Sequence, residues 1–114
     1  MGKKRMRDEA CLCASFQEAF RILGRKWNGM IIQSLLVSGP LRFGELALKV
    51  ADCSDRVLTA RLKELQACGI VTRKTSADSA LILYDLTPKG QDLRPVMEAT
   101  HAWADKWCNQ HDEA

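Results

Sequence analysis

The segment from Ser54 through Asp55-Arg56-Val57-Leu58-Thr59-Ala60-Arg61-Leu62-Lys63-Glu64 to Leu65, followed by Gly69-Ile70-Val71-Thr72-Arg73, constrains this chain more than any other part of it. Ser54 is a favoured helix N-cap, and the residues after it predict an amphipathic helix from about Asp55 to Cys68. At 100° per residue, Val57, Leu58, Leu62 and Leu65 share one side, with Arg61 at its flank. Arg56, Thr59, Ala60 and Lys63 share the opposite side. Gly69 stands where it would end the helix, and a short β-like run with basic residues follows. Such a helix packs through one face and leaves the other free.

The rest of the chain reads as four further helices and one hairpin, without internal repeats, low-complexity stretches or linkers. Ser15 is placed to cap a first helix that carries Phe16, Ala19, Phe20 and Leu23 on one face and reaches Gly24. A second helix is predicted from about Lys26 to Val37. Trp27, Met30, Ile31, Ser34 and Leu35 follow helical spacing there, and Ile32 and Leu36 widen the apolar face as in a core helix. Ser38-Gly39-Pro40 stops it. A short third helix, about Arg42 to Val50, buries Phe43, Leu46 and Val50, and Ala51-Asp52-Cys53 makes the turn. Ile70 to Lys74 and Leu81 to Leu86 read as strands joined by the polar loop Thr75 to Ala80. The second strand is apolar on both faces and is expected to be covered on both. Thr87 caps a final helix with Pro88 at its first position, predicted to continue to about Cys108. Leu93, Val96, Met97, Thr100, Trp103, Ala104 and Trp107 form its stripe, with a period near 3.5. A domain of this size cannot easily cover that stripe alone, so a second subunit is the expected cover.

Helix, tight turn, capped helix and hairpin in this order make a winged helix-turn-helix. The fold class read from the sequence is therefore mainly α with a small β-hairpin, with N- and C-terminal helices for dimerisation. The 114 residues form one expected domain, with residues 1–12 as a flexible basic tail. The hydrophobic fraction of 46% and charged fraction of 27% are those of a globular chain rather than a disordered one. No apolar run approaches the ~18 residues of a membrane span, and the basic start lacks the apolar core of a secretory signal. A cytoplasmic location follows as the expectation.

Net charge is only +3, but its distribution is uneven. Lys3, Lys4, Arg5 and Arg7 crowd the start, Arg56, Arg61 and Lys63 lie on the candidate recognition helix, and Arg73 and Lys74 follow it. Clusters of this kind form an electrostatic footprint for phosphate, and double-stranded DNA is the expected partner. Ser54, Asp55, Arg56, Thr59, Lys63, Arg73 and Lys74 are the candidate DNA-binding residues. Ser54 and the free N–H groups at the helix start can meet a phosphate. Arg56 has the fork geometry for guanine O6 and N7, and Thr59 can contact a base edge or a thymine methyl. Lys63 suits backbone phosphate, and Arg73 and Lys74 flank the hairpin within reach of a neighbouring groove. Simpler roles stand beside these. Ser54 caps a helix in any protein, and Arg73 could sit in a structural ion pair. Arg61, at the edge of the apolar face, is expected to pair with Glu45 or Glu64 and is left out of the base-reading set.

The chain resembles the HxlR family of bacterial transcription regulators, a branch close to the MarR-type winged helices. The matching residues are Leu23-Gly24-Arg25-Lys26-Trp27, the run from Gly39-Pro40-Leu41-Arg42 to Phe43-Gly44-Glu45-Leu46, and the segment Ser54 to Leu65. Gly69-Ile70-Val71-Thr72-Arg73, the run from Tyr84-Asp85-Leu86 to Thr87-Pro88-Lys89-Gly90, and Ala102-Trp103 match as well. Together they span about Cys13 to Trp107. The resemblance implies a dimeric winged-helix DNA-binding protein, often a repressor. No enzyme is expected, since the sequence has no Cys-x-x-Cys and neither His101 nor His111 sits in a recognisable catalytic setting. This sequence departs from the family pattern at two places. Arg25 replaces the second glycine of Gly-Gly-Lys-Trp, and Ser79-Ala80 stands where the wing usually carries a proline.

Five cysteines are present: Cys11, Cys13, Cys53, Cys68 and Cys108. Their odd number in a chain expected in a reducing compartment argues against a disulfide framework. Some regulators of the resembled family act as thiol switches for quinones, hypochlorite or other electrophiles. Cys13 matches the cysteine that many of them carry before the first helix, and Cys108 resembles the C-terminal cysteine of the quinone-sensing branch. The resemblance thus implies redox-sensing roles for Cys13 and Cys108, with an intersubunit link between them as one outcome of oxidation. A position near a helix start and behind a basic tail also favours reactivity at Cys13 on chemical grounds. Cys68 reads as a small core residue, while Cys11 and Cys53 have no assigned role. A metal-responsive regulator is the alternative, with Cys11, Cys13, Cys108 and His101 or His111 as soft ligands, although their spacing fits no compact zinc motif. A winged-helix interaction module without DNA is another. The leading reading needs no cofactor.

Overall fold

In the computed structural model, which describes residues 13–108, Ser54 opens a helix where the sequence places it. The Ser54 Oγ accepts the Val57 N–H at 3.2 Å, satisfying one of the donors that a helix start leaves without an intrahelical partner. The elements are α1 (Ala14–Leu23), α2 (Asn28–Ser38), α3 (Phe43–Lys49), α4 (Asp55–Ala67), β1 (Val71–Ser76), β2 (Ser79–Leu86), α5 (Pro88–Gln91) and α6 (Arg94–Trp107). The tail cations Lys3, Lys4, Arg5 and Arg7, with Cys11 and His111, lie outside the described residues.

The core forms where α2, α3 and α4 meet. Ile31, Ile32, Leu35, Leu46, Leu58, Leu62 and Leu65 are all buried to within 1% of full exclusion from solvent. Burying a side chain of this kind stabilises the fold by about 1.5–3 kcal/mol. The spacing of leucines on α4 therefore fixes which face of that helix turns inward. At its end Gly69 takes φ 78°, the left-handed conformation that glycine adopts without cost, and the chain reverses into β1. β1 and β2 pair antiparallel with Val71 opposite Leu86 and Lys74 opposite Leu83. Leu41 adds a short bridge to Tyr84, so the approach to α3 is pinned to the hairpin.

Several elements differ from expectation. α1 is capped by Cys13 rather than Ser15. Cys13 is extended (φ −65°, ψ 162°) and its Sγ accepts the Phe16 N–H at 3.4 Å, leaving Ser15 inside the first turn. α2 begins at Asn28 and not near Lys26, because Trp27 takes a left-handed φ of 81°. Met30, read as core, is exposed, because it faces a groove between α2 and α6 instead of α4. The expected six-residue hairpin loop contracts to a turn at Ala77-Asp78, and the strands lengthen to meet it. β2 is not covered on both sides. Ile82, Leu83 and Tyr84 are only half-buried and Leu81 is exposed, since the sheet has only two strands. The final helix is two pieces. Pro95 lacks the N–H that a continuous helix would donate to Gln91, so the chain breaks at Asp92-Leu93 and restarts.

The candidate nucleic-acid interface

α3, the turn through Cys53, and α4 form the helix-turn-helix. Cys53 is buried in the turn, where its N–H donates to the Val50 carbonyl at 2.8 Å. Its Sγ lies 3.6 Å from the Ser54 carbonyl oxygen, to which the thiol donates. Burial pushes this thiol up from its ordinary range, partly opposed by the nearby Arg61 and Lys26 charges. Arg42 precedes α3, and Glu45 reaches back to accept the Arg42 N–H at 2.8 Å, satisfying that donor at the helix start.

On α4 the two faces separate cleanly. Leu58, Leu62 and Leu65 point into the core, while Asp55, Arg56, Thr59 and Lys63 are exposed. Among the described residues, no ion pair engages Arg56, Lys63 or Arg73. Three cationic groups thus project from the recognition helix and the first strand of the wing without internal neutralisation. The Thr59 hydroxyl donates to the Asp55 carbonyl at 2.8 Å. This spends its hydrogen within the helix and leaves its oxygen lone pair and its methyl group for a ligand. Ser54 accepts from Val57, so its own hydroxyl hydrogen stays available to an anion at the helix start, where the dipole is positive.

Two basic residues are engaged differently from the sequence reading. Lys74 is an ion-pair member: its Nζ lies 3.0 Å from Asp85 Oδ2 across the hairpin. Arg73 has none among the described residues. Arg61 pairs with neither Glu45 nor Glu64. Its Nε donates to the Lys26 carbonyl at 3.1 Å, while Glu64 faces Arg25 at 3.8 Å. Sequence reasoning missed both links because they join residues far apart in the chain.

The cysteines occupy three environments. Cys13 and Cys108 are exposed, Cys53 is buried and Cys68 is half-buried against the core. Cys108 ends α6, its N–H donating to the Ala104 carbonyl at 2.7 Å. The exposed large apolar side chains are Phe16 and Phe20 on α1, Met30 and Val37 on α2, Leu48 on α3, Leu81 on β2, and Val96, Trp103 and Trp107 on α6, among the described residues. Phe16 and Phe20 stack edge to face, with centroids 5.0 Å apart, and remain 48% and 59% exposed. Among the described residues, no three His, Cys, Asp or Glu side chains gather as metal ligands; of the proposed metal set, Cys11 and His111 lie outside them. No described helix is long and apolar enough to cross a membrane.

Comparison with known proteins places this architecture. A model of the HxlR-like helix-turn-helix matches residues 22–112. The HTH-type transcriptional regulator YodB of Bacillus subtilis (strain 168) is 38% identical over 102 residues, covering 89% of this chain and 90% of YodB. The crystal structure of quinone-bound YodB from B. subtilis superposes with a TM-score of 0.74 at 38% identity, covering 84% of this chain and 100% of that one. A transcriptional regulator of the MarR family from Enterococcus faecalis V583 superposes with a TM-score of 0.71 at 27% identity, covering 88% of this chain and 91% of that one.

Proposed function

This chain belongs to the HxlR-like helix-turn-helix family and is a transcriptional regulator of the HxlR/MarR type, and from that premise we propose that it is a homodimeric, operator-binding repressor controlled through Cys13. One observation carries the DNA reading. A single helix is anchored by Leu58, Leu62 and Leu65 and offers Arg56, Thr59 and Lys63 on its free face. In this reading α4 enters the major groove. Arg56 reads guanine, and Thr59 accepts from a base amino group or packs its methyl on thymine. Lys63 and the start of α4 at Ser54 hold phosphate. Asp55 steadies the helix start through the dipole and accepts from a cytosine amino group if one is within reach. Arg73 contacts the backbone beside the wing. Lys74 contributes less, since Asp85 already partners it.

The exposed aromatic surface on α1 and α6 supports the dimer. A second copy would cover it, setting two recognition helices about 34 Å apart for successive major grooves. The signal is an oxidant or an aromatic electrophile. Cys13 supports that role by position: it is an exposed thiol on a helix start, with Phe16 and Phe20 exposed on the following turns. With a quinone, the Cys13 sulfur adds to the ring and the thiol proton ends on the reduced ring, giving a thioether. With an oxidant such as diamide, Cys13 and Cys108 of the partner subunit lose two protons and two electrons to form a disulfide, and diamide becomes the hydrazine. Either change on α1 would re-space the recognition helices.

The test is fluorescence anisotropy with duplexes from the region upstream of the chain's own gene. Reduced protein should bind with a steep salt dependence, lose affinity with quinone or diamide, and recover with dithiothreitol only after diamide. Loss of binding on oxidation in Cys13→Ser would remove Cys13 from the mechanism. Absence of sequence-selective binding by reduced protein would leave an interaction module instead, and stoichiometric zinc in the reduced protein would favour a metal-responsive regulator.

A further inference from the structure

The turn between α1 and α2 reaches the recognition helix, and the DNA reading makes no use of it. Gly24-Arg25-Lys26-Trp27 closes it in four residues. Trp27 has φ 81°, a left-handed conformation rare for a bulky side chain, which persists where its surroundings over-determine it. Those surroundings are visible. Asn28, wholly buried, donates from Nδ2 to the Ile22 carbonyl at 2.9 Å, tying the last turn of α1 to the start of α2. The Asn28 N–H donates to the Arg25 carbonyl at 3.1 Å, and the Lys26 ammonium lies 5.2 Å from the centre of the Trp27 ring.

Two polar links run from this turn onto one flank of α4. Arg61 donates from Nε to the Lys26 carbonyl at 3.1 Å, and Arg25 stands 3.8 Å from Glu64. Arg61 and Glu64 are three residues apart, so they neighbour each other on the helix surface. The Glu64 Oε1 is buried without a hydrogen-bond partner among the described residues, and the Arg25 guanidinium stands beside the other oxygen, Oε2. Arg25 is also the residue at which this chain departs from the glycine of the resembled pattern, and a glycine could not make that pair.

We propose that the Gly24–Trp27 turn is a clamp that passes movement of α1 to the recognition helix, with Arg25 and Arg61 as its positioning residues. The proposal rests on the reading of Cys13 as the sensing thiol. α1 carries Cys13 at one end and runs into the turn at the other. A turn held in this way transmits a shift of α1 rather than absorbing it. The shift arrives at Arg61 and Glu64, which flank Lys63 on either side in sequence and lie beyond Arg56 and Thr59 along the same helix. Neither Arg25 nor Arg61 needs to touch DNA.

The test is hydrogen exchange of the α4 amides in the full chain, before and after alkylation with N-ethylmaleimide, alongside operator binding. The thiol adds across the maleimide double bond without redox change, and Cys13→Ser serves as the control for the other cysteines. In the wild type, alkylation should change exchange in α4 at least about five-fold, the low end of ordinary coupling between sites. In Arg25→Gly/Arg61→Gln that response should fall below about two-fold. Should the double variant fold poorly, Glu64→Gln removes the ion pair isosterically, and a halved response is expected. A silent α4 in the alkylated wild type overturns the clamp, as does an undiminished response in the variants. An α4 that responds in a wild type without operator affinity supports the clamp and overturns the DNA reading.

Discussion

Replacing Arg56 by alanine removes a guanidinium that is exposed and has no ion-pair partner among the described residues. Nothing in the fold relies on it, so thermal stability should change by no more than about 0.5 kcal/mol. A bidentate arginine–guanine contact is worth about 1–3 kcal/mol of discrimination. A homodimer loses it twice, so the total is about 2–6 kcal/mol, or roughly 30-fold to 2 × 10⁴-fold weaker operator binding at about 1.4 kcal/mol per decade. The paired control is Leu62→Ala on the opposite face of the same helix. Leu62 is 1% exposed, and its truncation should cost about 2–5 kcal/mol of stability, including the cavity it leaves. Such a loss lowers Tm by roughly 10 °C or more in a domain of this size. Anisotropy titrations at fixed salt with operator and scrambled duplexes, set beside thermal melts, measure both quantities. Arg56→Ala should lose the operator and retain its weak scrambled-duplex affinity, while Leu62→Ala should melt early and, where still folded, discriminate normally. An Arg56→Ala protein that distinguishes the two duplexes as well as the wild type would refute the assignment of α4's outer face to base reading.

Gly69→Ala forces a side chain into φ 78° and should cost about 1–2 kcal/mol, read as a lower Tm without altered operator specificity. Lys63→Ala should weaken operator and scrambled duplexes alike and reduce the salt slope by about 1 per contact, whereas Lys74→Ala should change it less because Asp85 already holds that ammonium. Cys53 has its thiol raised by burial, so its contribution to stability is intact below the ordinary thiol value of about 8.5 and declines as pH rises past it. In a denaturant titration Cys53→Ala should flatten that alkaline decline, and iodoacetamide should reach Cys13 and Cys108 long before Cys53 in the native chain. Pro95→Ala restores the missing donor and should extend helix across Asp92-Leu93, visible as added helical ellipticity.

Local chemistry set most of what could be read from the sequence alone. The cap at Ser54, the leucine spacing along α4 and the left-handed stop at Gly69 all depend on residues within a few positions of one another, so the recognition helix and its free cationic face are legible in the sequence. Arg56, Thr59 and Lys63 were placed outward by the same periodicity that placed Leu58 and Leu62 inward. The structure decided what depends on distant partners. Whether Arg61 meets a carboxylate or the Lys26 carbonyl, and whether Lys74 or Arg73 is taken by an ion pair, depends on how the turns bring separate elements together. Phe16, Phe20 and Met30 have the spacing of buried residues yet stay exposed, because periodicity defines a face without saying what packs against it. The left-handed Trp27 had no sequence signal at all: intrinsic preference disfavours it, and only the packing and hydrogen bonds around Asn28 hold the chain there.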